Sequence, residues 1–242
     1  MLKKLLVLLL LCALCVWAAD FWSTKPFTDW NEKEVQKVLT DSPWTGKLTM
    51  SGGGAPPGVP DGGGGGGGRG GGGGRGGPQG GDSGGGDAGG GAPGGGFGGG
   101  ESTVMLIWQT ALPVKQALVK RRFAAEAGTS PEGKALLDRA EQFYVLTLSG
   151  VPGNLLGATR GDQKAGLLDL TLLTVAGKPP LKAADVQTSM GRGGGTVSFL
   201  FPKTTMFTAE DKELEFSSKF GTKAVKHKFK LKDMVFNGKV EM

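Results

Sequence analysis

Apolar and polar positions across residues 101–242 follow patterns that predict a series of strands. Two continuous apolar runs of strand length come first, and shorter alternating or apolar runs follow, separated by Gly, Asn and charged turns. The predicted strands are Thr103–Gln109, Phe143–Leu148, Leu167–Val175, Thr196–Phe201, Leu214–Ser218, Ala224–Lys232 and Val235–Val240. Most of them lie late in the chain, so the pattern favours a mostly antiparallel sheet over a regular βαβ alternation.

Helical periodicity predicts two helices between the first two strands. Pro113 suits the first turn of a helix that ends near Gly128, with basic residues close to its last turns. Ser130-Pro131-Glu132 begins a second, shorter helix that ends near Ala140. Together with the strands, these helices predict a single α+β domain over residues 101–242.

Residues 19–51 form a short segment that is rich in aromatic residues. Its five rings fall within 24 residues, and Asp29 with Glu32 has the spacing of a capping box that begins a third helix. Ser42-Pro43 ends that helix. Because so many exposed rings would make the segment insoluble alone, we expect a helical arm that docks on the main domain through its rings.

A glycine tract over residues 52–100 separates the arm from the main domain. It contains 32 glycines in 49 residues. Such a chain buries too little apolar surface to offset its ordering entropy, so a long disordered linker or loop is predicted.

Residues 1–18 have the pattern of a secretory signal peptide. A basic start precedes an apolar run from Leu5 to Trp17, and small residues stand at a cleavage position near Ala18. The run is short for a spanning helix, so no transmembrane segment is expected after cleavage. Both cysteines, Cys12 and Cys15, leave with the signal, and the formal charge of +6 falls to +4 when Lys3 and Lys4 are removed. We therefore expect an exported protein, periplasmic or extracellular, without disulfides.

The sharpest candidate site is a row of lysines on the last long strand. Alternate residues of a strand point to one face, so Lys226, Lys228, Lys230 and Lys232 predict a ladder that could bind a polyanion. A solvated face or a guarded edge strand is the alternative interpretation. The only histidine, His227, falls on the opposite, apolar face, which favours a packed residue over a catalytic base.

Carboxylates offer another candidate chemistry, that of a hydrolase. Acidic residues cluster before and beside predicted strands, although their alternation with apolar residues is equally typical of a wet strand face. They are Glu210, Asp211, Glu213, Glu215, Asp162 and Asp169. The sequence offers no metal-ligand spacing and no cofactor motif, since Gly191–Gly195 lacks the Lys-Ser/Thr of a phosphate loop. No catalytic residue, metal or cofactor is therefore predicted.

Several short segments resemble a family of uncharacterised exported proteins of acidobacteria. The likeness is carried by five short segments: Lys25-Pro26-Phe27 with Asp29-Trp30, Asp41-Ser42-Pro43-Trp44, Trp108 with Ala111-Leu112-Pro113, Phe201-Pro202, and Phe229-Lys230-Leu231-Lys232-Asp233-Met234-Val235. The resemblance implies that the arm and the C-terminal strands belong to one design, and it supplies no activity.

These observations predict an exported bacterial protein of unknown function. They favour a binding or structural protein of the cell envelope over an enzyme. An acidic envelope polymer or another envelope protein is the expected partner, and nucleic acid is not expected. The lysine ladder as a polyanion-binding module and the carboxylate hydrolase remain the two alternatives.

Overall fold

One antiparallel sheet of nine strands dominates the computed structural model, which describes residues 21–52, 102–191 and 193–242. In chain order the strands are β1 (Thr45–Gly52), β2 (Ser102–Trp108), β3 (Phe143–Val151), β4 (Leu172–Thr174), β5 (Leu181–Lys182), β6 (Asp185–Gly191), β7 (Gly194–Pro202), β8 (Glu213–Phe220) and β9 (Lys223–Lys230). Across the sheet their order is β5-β4-β8-β9-β1-β2-β3-β7-β6. A separate hairpin pairs β10 (Val235–Phe236) with β11 (Lys239–Val240).

Short helices accompany this sheet. They are α1 (Phe21–Thr24), α2 (Glu32–Thr40), α3 (Leu112–Phe123), α4 (Pro131–Asp138) and α5 (Gln163–Asp169). The α+β class with a mostly antiparallel sheet is thus confirmed. Of these helices, α1 and α5 were not among the two or three expected.

The sheet folds over itself and encloses an aromatic core. Strand β1 pairs with β2 from Thr45 to Met50, but with β9 only at Ser51 and Gly52, so the sheet opens between β1 and β9. The ring centroid of Phe199 on β7 lies 5.9 Å from that of Phe216 on β8. Because β7 and β8 belong to opposite halves of the strand order, the core lies between the two halves.

Residues 21–52 form one compact unit with residues 102–242. The rings of Trp22, Trp30 and Trp44 are buried in the common core. The indole Nε1 of Trp44 also donates a hydrogen bond to the carbonyl oxygen of Glu241, 2.9 Å away, near the end of the chain. The segment is more than a helical arm, because it contributes β1, a strand that the sequence pattern did not predict.

The capping box of α2 lies two residues beyond the predicted one. The Asn31 side chain accepts a hydrogen bond from the Glu34 amide at 3.0 Å, and the Glu34 carboxylate accepts one from the Asn31 amide at 2.7 Å. Asp29 instead closes a 3₁₀ turn, Phe27–Asp29. The prediction of a helix here was right, and the position of its cap was wrong.

The strand predicted over residues 167–175 is helical in its first three residues and extended only over Leu172–Thr174. Helix α5 occupies its first part, and only β4 remains of the strand. Between them the buried Thr171 hydroxyl donates to the carbonyl oxygen of Leu167 at 2.7 Å and contacts the Ser218 hydroxyl at 2.8 Å. These bonds satisfy the polar groups at the change from helix to strand.

Two predicted segments lie outside the described residues: the signal peptide at 1–18 and, apart from Gly52, the glycine tract at 52–100. Gly52 itself is the last residue of β1. Within the described ranges, none of the helices has the length and apolar character needed to cross a membrane.

Candidate functional site

In the structure the lysine ladder contains three of the four predicted lysines. Lys226, Lys228 and Lys230 are exposed on the outer face of β9, as the alternation indicated. Lys232 does not continue it, because the strand ends at Lys230 and Lys232 lies in the 3₁₀ turn Leu231–Met234.

Glutamates on β8 face the ladder. The Lys226 ammonium lies 3.3 Å from a carboxylate oxygen of Glu215, and that of Lys228 lies 3.3 Å from one of Glu213. Lys230 is the register partner of Glu213. Exposed pairs of this kind are weak, but they neutralise part of the positive potential. With Lys219 on the same face, four lysines oppose two glutamates, which leaves an excess of +2.

His227 is a half-buried, packed residue where the sheet opens. Its ring lies over Gly46 of β1 and meets the Phe229 ring edge to face, with centroids 4.6 Å apart. Burial lowers the pKa of His227, so its imidazole is neutral near pH 7. A small niche beside it is lined by Pro43, Thr45, His227, Lys228, Phe229, Lys230 and Asp233.

The acidic residues do not converge on one cleft. Asp211 accepts hydrogen bonds from the Lys178 ammonium at 2.7 Å and from the Thr208 amide at 2.8 Å, and these bonds outweigh burial and lower its pKa. Asp169 pairs with Lys182 at 3.0 Å, and Asp162 and Glu210 are exposed. Within the described ranges, no three potential metal ligands cluster. A carboxyl group that acts as a general acid needs a raised pKa. Among the described residues, every carboxyl group whose pKa is shifted has a lowered pKa.

The described residues form a concave groove that the sequence did not predict. It lies between helices α3 and α4 and the outer face of the sheet, and its volume is about 310 Å³. Its lining combines apolar, polar and charged side chains: Gln109, Thr110, Lys115, Leu118, Val119, Leu136, Arg139, Glu141, Val145, Gln187, Ser198 and Leu200. We call this site the α3–sheet groove.

Strand register builds the floor of the α3–sheet groove. Val145 on β3 is opposite Leu200 on β7, and two residues along Thr147 is opposite Ser198. Since successive side chains alternate between faces, these four point away from the aromatic core. The floor therefore changes from apolar to polar along the strands.

A chain of hydrogen bonds crosses the polar end of the floor. The Thr147 hydroxyl donates to the side-chain oxygen of Gln109 at 2.7 Å and lies 2.9 Å from the Ser198 hydroxyl. Because the single Thr147 proton goes to Gln109, Ser198 is the donor in the second bond. The carboxamide of Gln109 is thereby fixed, and its NH₂ group has no acceptor within the described part of the protein.

Three charged residues line the wall of the groove. The Lys115 ammonium contacts Glu141 at 3.3 Å and donates to the carbonyl oxygens of Leu137 and Arg139, both at 3.2 Å. The ammonium is thus held by two hydrogen bonds and one ion pair. The Nε of Arg139 lies 3.6 Å from the other carboxylate oxygen of Glu141, and the Arg139 side chain is 68% exposed. Its remaining N–H donors have no acceptor among the described residues.

A second hollow of about 320 Å³ shares Arg139, Glu141, Val145 and Leu200 with the groove. It adds Ala140, Gln142 and Phe143. The two hollows are adjacent lobes that share these four residues.

Comparison with protein-family models, with curated proteins and with solved structures finds no match to this chain. The resemblance to exported acidobacterial proteins stays a prediction.

Proposed function

We propose that this chain is an exported bacterial binding protein, periplasmic or extracellular, that takes a small molecule in the α3–sheet groove. The observation that carries the proposal is the groove itself, with an apolar floor beside fixed hydrogen-bonding groups. Small-molecule sites combine those features within volumes of about 300–1,000 Å³. The groove lies at the lower end of that range.

Binding is proposed in preference to catalysis because of how the groove's charges are arranged. Lys115 and Glu141 hold each other, and the Lys115 ammonium is also bound by two carbonyl oxygens. A general acid or base needs a proton that is exchanged near neutral pH. An ion pair fixed in this way favours a role in shaping the wall.

The test is a fragment screen by protein-observed NMR on the full chain. Leu200→Trp should fill the groove from its floor, and Leu170→Trp is the matched control, because Leu170 is an exposed leucine outside the groove. We expect compounds that shift signals of groove residues in the wild type and in Leu170→Trp but not in Leu200→Trp. A screen in which no compound distinguishes the two variants would contradict the proposal.

A second candidate partner is an acidic envelope polymer, favoured by the +2 excess on the outer face of β8 and β9. Changing Lys226, Lys228 and Lys230 together to Gln should then abolish retention on an acidic polysaccharide column. Unchanged retention would leave the groove as the binding site.

A further inference from the structure

We infer that the α3–sheet groove selects a small organic anion, with a single carboxylate attached to a short apolar tail. The inference rests on the proposed function and goes further, because it names the class of ligand. Three observations carry it: the charge of the wall, the excess of donors, and the position of the apolar surface.

The wall carries one more positive than negative charge. Lys115 and Arg139 are basic and Glu141 is the single acidic residue of the lining. Lys115 and Glu141 neutralise each other at 3.3 Å, which leaves the charge of Arg139 in excess. A ligand with one negative charge would match this wall, whereas a cation would meet an uncompensated guanidinium.

Most of the groove's polar groups that lack a hydrogen-bond partner among the described residues are hydrogen-bond donors. Arg139 has five N–H donors in a planar fork, and only its Nε faces a carboxylate within the described residues. The Gln109 carboxamide uses its oxygen for Thr147 and keeps its NH₂ group for a ligand. A carboxylate is an acceptor only, and it can accept two parallel bonds from a guanidinium.

Apolar side chains lie beside these donors. Val145 and Leu200 form one end of the floor, and Leu118 and Leu136 face them from the helices. Leu136 is 39% exposed, among the few exposed large apolar residues of the described chain. Because burying this apolar surface lowers the free energy of the complex, the groove favours a ligand with an apolar tail next to its charged head.

The experiment compares three probes with the same apolar tail and different heads: octanoate, octanamide and octylamine. Titrations followed by NMR use the full chain. Octanoate should bind at least about 10-fold more tightly than octanamide, because a charge-assisted bond replaces a neutral one. Octylamine should bind most weakly. Raising the salt concentration should weaken octanoate binding more than octanamide binding.

Variants at two arginines test the role of the guanidinium. Arg139→Gln should bring the affinity for octanoate down to that for octanamide and leave octanamide binding unchanged. Arg121→Gln is the matched control, because Arg121 is an exposed arginine of α3 outside the groove, and it should keep the preference. N-acetyl-leucyl-leucine carries a carboxylate and apolar side chains at the C-terminus of a peptide. Its affinity relative to octanoate therefore distinguishes a peptide C-terminus from a free fatty acid as the ligand.

The outcomes separate this inference from the proposed function. Equal binding of octanoate and octanamide, or a preference that survives Arg139→Gln, would overturn the inference and leave a groove that binds other ligands. Fragments that bind the groove while none of the three probes does would overturn it as well. Failure of both the probes and the fragment screen would overturn the proposed function with it.

Discussion

At the scale of single residues, Gly46 and His227 fit one another where the sheet opens between β1 and β9. A Cβ placed on Gly46 would lie 2.6 Å from Nδ1 of His227, closer than carbon and nitrogen can approach without a shift. Gly46→Ala should therefore destabilise the fold by about 1–3 kcal/mol, as overpacking does in other cores. Chemical denaturation measures the change in the free energy of unfolding.

The matched control for Gly46→Ala is Gly166→Ala in helix α5. No heavy atom lies within 4 Å of a Cβ at Gly166, and alanine is the better helix former by about 0.5–1 kcal/mol. This control should be neutral or stabilising. Equal stability of Gly46→Ala and the wild type would show that the imidazole moves aside without cost.

His227 also links stability to pH. Its pKa in the folded protein is lowered by burial from the ordinary value of 6.5, so below that pH the unfolded chain binds more protons than the folded one. The contribution of the neutral ring is fully present above pH 6.5 and is lost as the pH falls through the folded pKa. Lys228, Lys230 and Asp233 are the charged residues that line the niche beside the ring.

Urea unfolding of the wild type should show a free energy of unfolding that decreases as the pH falls below 6.5. His227→Gln should show a smaller change of that free energy with pH over the same range. An identical slope in both proteins would assign the pH dependence to other groups.

At the scale of elements, the sequence predicts the helices and strands whose buried residues recur with a regular local spacing. Strand β7 alternates buried and half-buried side chains along its length, and β9 alternates up to Lys230. Helix α3 begins at Leu112, one residue before the predicted Pro113, and its last turn carries Lys120, Arg121 and Arg122. In each case the residues alone indicate which face meets the core.

Two strands that are held by pairing and not marked by a local apolar run were missed. Strand β1 lies next to the glycine tract and gains its place by pairing with β2 and β9, neither of which is near in sequence. Strand β6 is a mostly polar edge that is held by β7. Neither has the apolar run by which a strand is recognised.

The α3–sheet groove was missed for a related reason. Its lining comes from the turn after β2, α3, α4, the segment at 139–141 and three strands, so no local motif marks it. One signal was present: Thr147 and Ser198 place hydroxyls between apolar residues of their strands. Polar groups at such positions need partners, and here the partner is Gln109.

At the scale of the whole molecule, the N-terminal segment is integral to the sheet. Strand β1 stands between β9 and β2, where it joins the two halves of the strand order. Six of its residues pair with β2. Removing the segment would split the sheet and uncover the core surface that the buried rings of Trp22, Trp30 and Trp44 cover.

This arrangement predicts that the protein survives a cut in its glycine tract. A protease site introduced between Gly70 and Gly71 would give two fragments, one with β1 and one with the other strands. Each large apolar side chain buried between them contributes about 1.5–3 kcal/mol, so the fragments should remain associated. They should elute together in size-exclusion chromatography, separate only in denaturant, and keep the thermal transition of the uncut chain. Separate elution under native conditions, with the larger fragment still folded by circular dichroism, would contradict this prediction. The pairing of β1 with β2 and β9 would then be an addition to the sheet and not its centre.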